Sequence, residues 1–583
     1  MPRIVSTQLR LQKLLKKGMK HHQEGSLDLA EACYRKMLKA DPTSSEAREL
    51  GRLLEGQAGT DFVAAASVSP ADDPSALNNR AASYLAEGKI EAAMDCLRRV
   101  TELCPDSSEA HRHLGEAQER LGDFPAAAMS YQRALTLRPD DQELYCHLAR
   151  VFFRGGSLEQ AAETYQRALA LNEKRYEVYT DLGIVLTQLG NFGAAIEAFR
   201  RSLRLNPRCA KTIAALGALF ERKGDLISAS DAYRDAIKLD PQLTDAYADL
   251  GFVLFGLGEV AEAADSFERL RALQPDSAEA TANLGLIHLL QSDLAAGWPE
   301  YESRWRVGME DQRAWVQPQW KGEPLGGAPI LLHAEQGFGD TLQFVRYVPL
   351  VAARGGRVVL EVQPGLHRLL SRTAGALHVV ARGEALPEFT WQCPLLSLPL
   401  AFGTTMNSIP AEVPYVHPDP AQVEAWRGRL QGKTRRIGLV WRGNPTQHRD
   451  RLRSMPLEQL APLFRVGGTT FFSLQLGAGN ERLQPLPSDV PLVDLAPELK
   501  DFGDTAAIVA NLDLVISVDT SVAHLAGAMG KPVWIMLTKG CDWRWFLGRE
   551  DSPWYPTARL FRQTTAGDWH EVVNRIEREL RQN

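Results

Sequence analysis

Through the first half of the chain, small, aromatic and helix-breaking residues recur at fixed spacing. Prolines stand at 105, 139, 207, 241 and 275, on a period of 34 residues, with Glu173 on the one mark that lacks a proline. Eight residues before the successive marks come Leu97, Tyr131, Tyr165, Phe199, Tyr233 and Phe267, and twelve before come Ala93, Ala127, Ala161, Ala195, Ala229 and Ala263. Twenty-four before come Ala81, Gly115, Ala149, Gly183, Gly217 and Gly251, all small. A small residue in one helix opposite an alanine in the next lets two helices approach closely. The ring fills the gap between hairpins, and proline ends the second helix because it lacks an N–H and clashes with the turn before it. The pattern therefore predicts stacked helical hairpins. Pro42 with Tyr34, Ala30 and Gly18 repeats it upstream, and Gly285, Gly297 and Tyr301 begin it again downstream. Between Pro42 and Pro105 the spacing is 63 residues, short of two periods, so a divergent segment is expected to interrupt the array.

From Ile330 the period changes. Apolar runs of strand length, Ile330–His333 and Arg357–Val362, alternate with helical patterns over Thr341–Ala353 and Leu366–Arg372. A proline-rich stretch from Ile409 (IPAEVPYVHPDP) intervenes. The alternation then resumes, with strands at Ile437–Trp441, Thr470–Leu474, Leu514–Val518 and Val533–Leu537 and helices at Thr505–Asn511 and Val522–Met529. Buried runs separated by helices predict parallel sheets with crossover helices. Two Rossmann-like domains follow, with a cleft at the C-terminal ends of their strands. The expected organisation is an N-terminal hairpin over 1–44, a divergent linker segment over 45–73, and a repeat array over 74–309. An N-terminal Rossmann-like domain over 325–412 and a C-terminal one over 433–583 follow.

Composition narrows the class without naming a partner. The 583 residues are 44% hydrophobic and 24% charged, as in ordinary globular proteins, which excludes disordered, collagenous and membrane-bundle chains. Lys+Arg 66 against Asp+Glu 72, without long runs of one sign, gives no pull toward nucleic acid or a membrane surface. The apolar residues near the start are interrupted by Arg10, Gln12 and Lys13, unlike a signal peptide, and no run reaches the ~20 apolar residues of a membrane span; the expected compartment is the cytoplasm. Seven scattered cysteines without a C-x-x-C pair predict neither a disulfide nor a zinc framework.

Three stretches sit where such a cleft has its chemistry. In AEQGFGDTLQFVRY a strand ends, Gly337 and Gly339 allow a tight path, and Asp340 stands at the start of a helix, either as a cap or as a general base. The glycines match neither a dinucleotide fingerprint nor a Walker loop. In VISVDTSVAHLAGAMG a strand leads into Asp519, Thr520 and Ser521 and then a helix carrying His524, which is either a capped, packed helix or an anion site built on unsatisfied N–H groups and the helix dipole. Between them lies VWRGNPTQHRDRLRSMP, bearing Arg442, His448, Arg449, Arg451 and Arg453. This is either a solvated basic loop or the counter-charge for a diphosphate leaving group. No D-x-D pair appears in this half, so no metal ligands are expected.

The 34-residue repeats resemble the tetratricopeptide repeat, TPR. Some TPR enzymes carry an asparagine ladder two residues before the small position; here that position reads Lys16, Asn79, His113, His147, Asp181, Ala215, Asp249 and Asn283, so a folded or helical partner is expected in place of a clamped extended peptide. Ile330 to about Arg562 resembles glycosyltransferase family 9, the heptosyltransferase-like group of the GT-B fold, and the fusion is similar to bacterial TPR glycosyltransferases, including flagellin glycosyltransferases. The resemblance implies that Asp340 is the catalytic residue. It further implies that Asp519, Thr520 and His524 match the donor-binding D-T-x-x-x-H-L, with Ser521 where the family usually has glycine, and that Arg453 stands near the place of a donor-phosphate lysine. The stretch from Asp542 also looks like these fusions; Trp543, Arg544, Trp545 and Trp554 are candidates for the cleft or for aromatic packing. Gln475, after the Thr470–Leu474 strand, joins Gly337, Gly339, Trp543 and Arg544 as a cleft candidate.

The expected fold is an α-helical TPR solenoid followed by an α/β GT-B fold. The expected activity is that of an inverting, metal-independent glycosyltransferase with a nucleotide sugar as substrate and no cofactor. Its protein acceptor is chosen by the TPR groove, with flagellin implied by the resemblance. Asp340 deprotonates the acceptor; Arg453, Asp519, Thr520, Ser521 and His524 bind the donor. The alternatives are a small-glycan or lipopolysaccharide transferase whose repeats only dock it, and a non-catalytic TPR scaffold. Neither nucleic acid nor a membrane span is expected.

Overall fold

The computed structural model describes residues 13–22, 26–40, 50, 73–308, 313, 315–430, 434–446, 450–476 and 492–582. The chain divides into two compact units, Met1–Arg208 and Cys209–Asn583. The segment expected as a linker, 45–73, lies almost wholly outside the described residues, as do Pro42, His448 and Arg449.

In the first unit helix α1 (Leu27–Ala40) follows a helix over 13–22, and the ring of Tyr34 lies against Gly18. The hairpins then run α2 (Pro74–Ala86) with α3 (Ile90–Leu103), α4 (Ser108–Arg120) with α5 (Phe124–Leu137), α6 (Gln142–Arg154) with α7 (Leu158–Leu171), and α8 (Tyr176–Gln188) with α9 (Phe192–Leu205). Tyr131, Tyr165 and Phe199 are buried as the period requires. Two of the ladder positions are engaged within the array: His113 Nδ1 pairs with Asn78 Oδ1 at 3.0 Å, and His147 stacks on Tyr131 with centroids 5.4 Å apart.

The second unit continues with α10 (Ala210–Lys223), α11 (Leu226–Leu239), α12 (Thr244–Leu257), α13 (Val260–Leu273), α14 (Ala278–Leu290) and α15 (Leu294–Tyr301). The small position is sterically necessary here: a Cβ on Gly251 would come within 2.6 Å of the Phe267 ring. Four strands, β1 (Pro329–His333), β2 (Arg357–Val362), β3 (Ala376–Ala381) and β4 (Trp391–Pro394), form a parallel sheet in the order β3-β2-β1-β4. Six more, β5 (Arg435–Val440), β6 (Thr469–Ser473), β7 (Leu492–Asp494), β8 (Leu514–Val518), β9 (Val533–Leu537) and β10 (Ala558–Arg562), form a second parallel sheet ordered β10-β9-β8-β5-β6-β7. The helices that matter below are α16 (Phe338–Phe344), α17 (Val348–Ala353), α18 (Pro364–Leu370), α19 (Pro420–Arg429), α20 (Phe502–Ala510), α21 (Ser521–Ala528) and α22 (Trp569–Gln582).

The helix expected over Thr341–Ala353 starts earlier and is broken in two by a 3-10 turn at Val345–Tyr347. Pro349, in the first turn of α17, has no N–H for a bond back into α16. The proline-rich stretch from Ile409 is tied down, since the Tyr415 N–H donates to the Ala528 carbonyl at 3.0 Å.

The last hairpins and the sheets share one apolar core, running from Leu226 to Leu560. Polar joints fix its edge. Arg304, just beyond α15, donates twice to the buried Glu335 carboxylate, each bond 2.9 Å, and to Ser397 Oγ at 2.8 Å. Trp298 Nε1 donates to the Thr404 carbonyl at 2.9 Å, and the Leu547 N–H to the Leu290 carbonyl at 3.2 Å. A second core on the far face of the six-stranded sheet is closed by Val572, Val573, Ile576 and Leu580 of α22.

Candidate active site

The C-terminal ends of β1, β2, β5, β6 and β8 converge on one cleft of about 690 Å³. Its size suits a whole nucleotide-sized ligand. Gly337, Gly339, Asp340, Arg453, Gln475, Asp519, Thr520, Ser521, His524 and Arg544 all line it. Trp543 does not. It is buried at right angles to Trp298, with centroids 5.2 Å apart, and near-parallel to Phe344 at 6.3 Å, and it borders a smaller cavity behind. Trp545 and Trp554 are likewise fully buried.

Helices α16 and α21, one from each sheet region, pack against each other at their first turns beside the cleft. A Cβ on Gly339 would stand 2.8 Å from His524 Cδ2, so only glycine allows this approach. Asp340 accepts the Gly337 N–H on Oδ2 at 2.8 Å and pairs through Oδ1 with Arg544 Nη2. Burial pushes its carboxyl up from the usual range, and Arg544 opposes that shift. Arg544 is itself held by Gln343 Oε1 at 2.8 Å and Asp542 Oδ1 at 2.9 Å, with its guanidinium over Trp543. The turn that presents it ends at Phe546, which takes φ +47°, a left-handed conformation unusual for a bulky residue and one that concentrates at functional sites.

On the facing wall, β8 ends and Thr520 takes the N-cap position of α21 without a side-chain cap bond, its Oγ1 lying 2.9 Å from Ser517 Oγ. His524 Nδ1 lies 2.9 Å from the Tyr555 hydroxyl and its ring stacks on Trp545, which turns Nε2 toward Asp519 Oδ1 at 3.8 Å. Burial, then Arg544, Arg346 and Arg453, drive the imidazole's pKa well down, so it is neutral. Asp519 is pushed up to about 6 by burial and by Asp542. Arg453 donates to Asp450 Oδ1 at 3.1 Å and to the Asp519 carbonyl at 3.0 Å. Of the other cations in that loop, Arg442 lines the cleft, whereas Arg451 turns away and donates to the Glu221 and Arg222 carbonyls at the end of α10. Gln475 braces the turn after β5: its Oε1 accepts the Trp441 and Arg442 N–H groups at 3.1 and 2.9 Å.

The sequence reading missed several groups. Gln363, just after β2, accepts from Thr341 Oγ1 at 2.9 Å and donates to the Gln336 carbonyl at 2.8 Å, which fixes the loop before Asp340. Asp542, two residues before Arg544, carried a turn signal. Behind His524 the buried Arg346 donates to the partly buried Tyr415 hydroxyl at 2.7 Å and lies over the ring of the buried Tyr555; nothing local in the sequence marks them. At one lip Arg368 of α18 pairs with Asp501 and Asp504, and Phe338 lies edge-on to Phe502 with centroids 5.1 Å apart. Among the described residues no three His, Cys, Asp or Glu side chains gather as a metal site.

Parts of the chain match known families. Residues 78–142, 114–176, 180–244 and 249–307 match the tetratricopeptide repeat family, and residues 467–537, which span β6 to β9, match glycosyltransferase family 9 (heptosyltransferase). The chain joins tetratricopeptide repeats to a glycosyltransferase family 9 domain. That domain supports a glycosyltransferase. Protein FlbA of Caulobacter vibrioides is 29% identical over 311 residues, 49% of this chain; the chain spans about half, 52%, of the length of FlbA. A tetratricopeptide repeat protein of Parabacteroides merdae is 20% identical over 41% of this chain and 94% of its own, with a TM-score of 0.37. Yeast Tom70 is 17% identical over 48% of this chain and 56% of its own, with a TM-score of 0.34. No helix among the described residues is long and apolar enough to cross a membrane.

Proposed function

We propose that the protein transfers a sugar from a nucleotide-sugar donor to a hydroxyl of a protein acceptor chosen by the repeat array, with inversion and without a metal. One observation carries the reading: the half-buried Asp340 carboxylate, held by Arg544 and the Gly337 N–H, lines one nucleotide-sized cleft together with the N-terminus of α21 and the Arg453 and His524 side chains. The acceptor oxygen forms a bond to the anomeric carbon as the bond from that carbon to the phosphate oxygen breaks. Asp340 takes the hydroxyl proton, and the electron pair leaves with the phosphate. The N–H groups of α21, the Arg453 guanidinium and the neutral His524, with its proton on Nε2 when the Tyr555 hydroxyl donates to Nδ1, receive the developing charge. Arg544 holds Asp340 in place between the Gly337 N–H and its own guanidinium. Flagellin is the acceptor that the sequence resemblance suggests, and the cytoplasm the compartment.

The test is a reaction of the purified chain with a panel of nucleotide sugars and a protein extract from cells lacking it, in EDTA. Release of nucleoside phosphate together with a sugar-mass shift on a protein is expected. Turnover only with a protein-free glycan would favour the small-glycan reading, and a strict need for a divalent ion would remove the proposed charge neutralisation.

A further inference from the structure

Behind the cleft, toward the repeats, lies a second cavity of about 210 Å³. The array contributes Phe255 of α12 and Leu286 of α14; the transferase region contributes Leu452 and Leu537. Arg453, Asp519 and Asp542 line both this cavity and the cleft, so the two spaces share a throat. The joint that encloses it is tight. Gly540 lies so close to the Phe255 carbonyl that a Cβ would collide with it, and Lys539 Nζ stands 3.4 Å from Glu259 Oε1.

Three properties decide the occupant. The volume is below the ~300 to 1,000 Å³ of a whole-ligand pocket, so it seats one or two side chains. The throat carries the Asp519 and Asp542 carboxylates, which offer acceptors to a neutral hydroxyl, beside the Arg453 guanidinium. Beyond the throat the walls are mostly aliphatic and aromatic, and the Thr538 hydroxyl already donates to the Gly540 carbonyl at 3.0 Å, which suits an apolar side chain better than a sugar.

We propose that this cavity is the acceptor subsite: it seats a small apolar side chain of a polypeptide, next to a hydroxyl-bearing residue that passes Asp519 and Asp542 into the cleft. The array is then part of the active site as well as a docking scaffold. This rests on the protein-glycosyltransferase reading of the cleft.

The test uses the full chain with Leu286→Trp, which fills the cavity from the array side, and Leu452→Trp, which fills it from the other. Leu286→Ala enlarges it without overpacking and serves if either tryptophan disturbs folding. Thermal shift with UDP, ADP, GDP and CMP as probes reports the donor site, and intact mass of extract proteins reports transfer. Both tryptophan variants are expected to keep the wild-type nucleotide shift and lose about tenfold or more of the protein-bound sugar, and Leu286→Ala to lose several-fold. Wild-type transfer with the cavity filled would overturn the proposal. So would nucleotide binding that falls in step with transfer, which would assign the cavity to the donor. If the wild-type chain binds nucleotide yet marks no protein, the reading of the cleft falls first and the subsite with it.

Discussion

Asp340 gives one carboxylate oxygen to the Gly337 N–H and the other to Arg544, so the cap and the candidate base are the same group. Asparagine preserves the size and much of the capping while removing the base. Asp340→Asn is expected to cut transfer on the order of a hundredfold or more with nucleotide affinity nearly intact, as single-turnover rates and calorimetry with ADP would show. Asp519 makes a pH-dependent prediction. Its carboxyl is held up to about 6, so between its ordinary value of 3.8 and that point the folded chain keeps a proton that the unfolded chain has lost. Its contribution to stability therefore falls as pH rises through this window and is level above it. A phosphate meets the Asp519 charge only above the same point, so nucleotide binding is expected to tighten as pH falls through about 6. Asp519→Asn should remove the Asp519 part of this dependence and leave the titrations of the phosphate and of Asp340, which calorimetry across about pH 5 to 8 would resolve. Asp340, Asp519 and His524 were legible in the sequence because each stands where a strand gives way to a helix, a place the hydrophobic pattern marks. Asp542, Gln363 and Tyr555 were not, because their roles depend on which distant segments meet: Tyr555 matters only once His524, 31 residues away, is beside it.

At the level of elements, the six strands expected from apolar runs, β1, β2, β5, β6, β8 and β9, are all interior, and the four missed, β3, β4, β7 and β10, are the four sheet edges. An interior strand is covered on both faces and reads as a continuous apolar run; an edge strand is short or partly exposed, as Leu377 and His378 of β3 are, and loses that signal. The array was legible for the opposite reason, since every hairpin repeats the same contacts. A further regularity, a glycine at the same place in successive periods, has its reason in the backbone. Gly88, Gly122, Gly156, Gly190, Gly224 and Gly258 all take left-handed φ between the helices of their hairpins, 34 residues apart, and Ser292 occupies the next place at φ 71°. A side chain there strains the backbone. Ser292→Gly is expected to stabilise the protein by roughly 1 kcal/mol or less, the left-handed strain being partly offset by glycine's extra freedom when unfolded. A rise in the thermal midpoint would bear this out, and a fall would show that the Ser292 hydroxyl contributes more than the strain removes.

For the whole molecule, the division at Arg208 and Cys209 sets the last three hairpins with the transferase, joined through Arg304 and Glu335, Trp298, and the shared apolar core. Residues 209–583 are therefore expected to unfold in one cooperative transition and to bind nucleotide like the full chain, whereas a cut inside α10 to α15 opens the shared core. If the earlier repeats select the acceptor, the same fragment should transfer poorly to protein while keeping its nucleotide affinity. The central claim is that this cleft places a sugar on a protein. The most direct measurement is the intact mass of proteins from cells carrying the full chain, its Asp340→Asn variant, or no copy. A sugar-mass adduct on a protein with the full chain, absent from the other two, is the expected result. An adduct that survives Asp340→Asn, or a sugar gained only by a lipid-linked or free glycan, would contradict it.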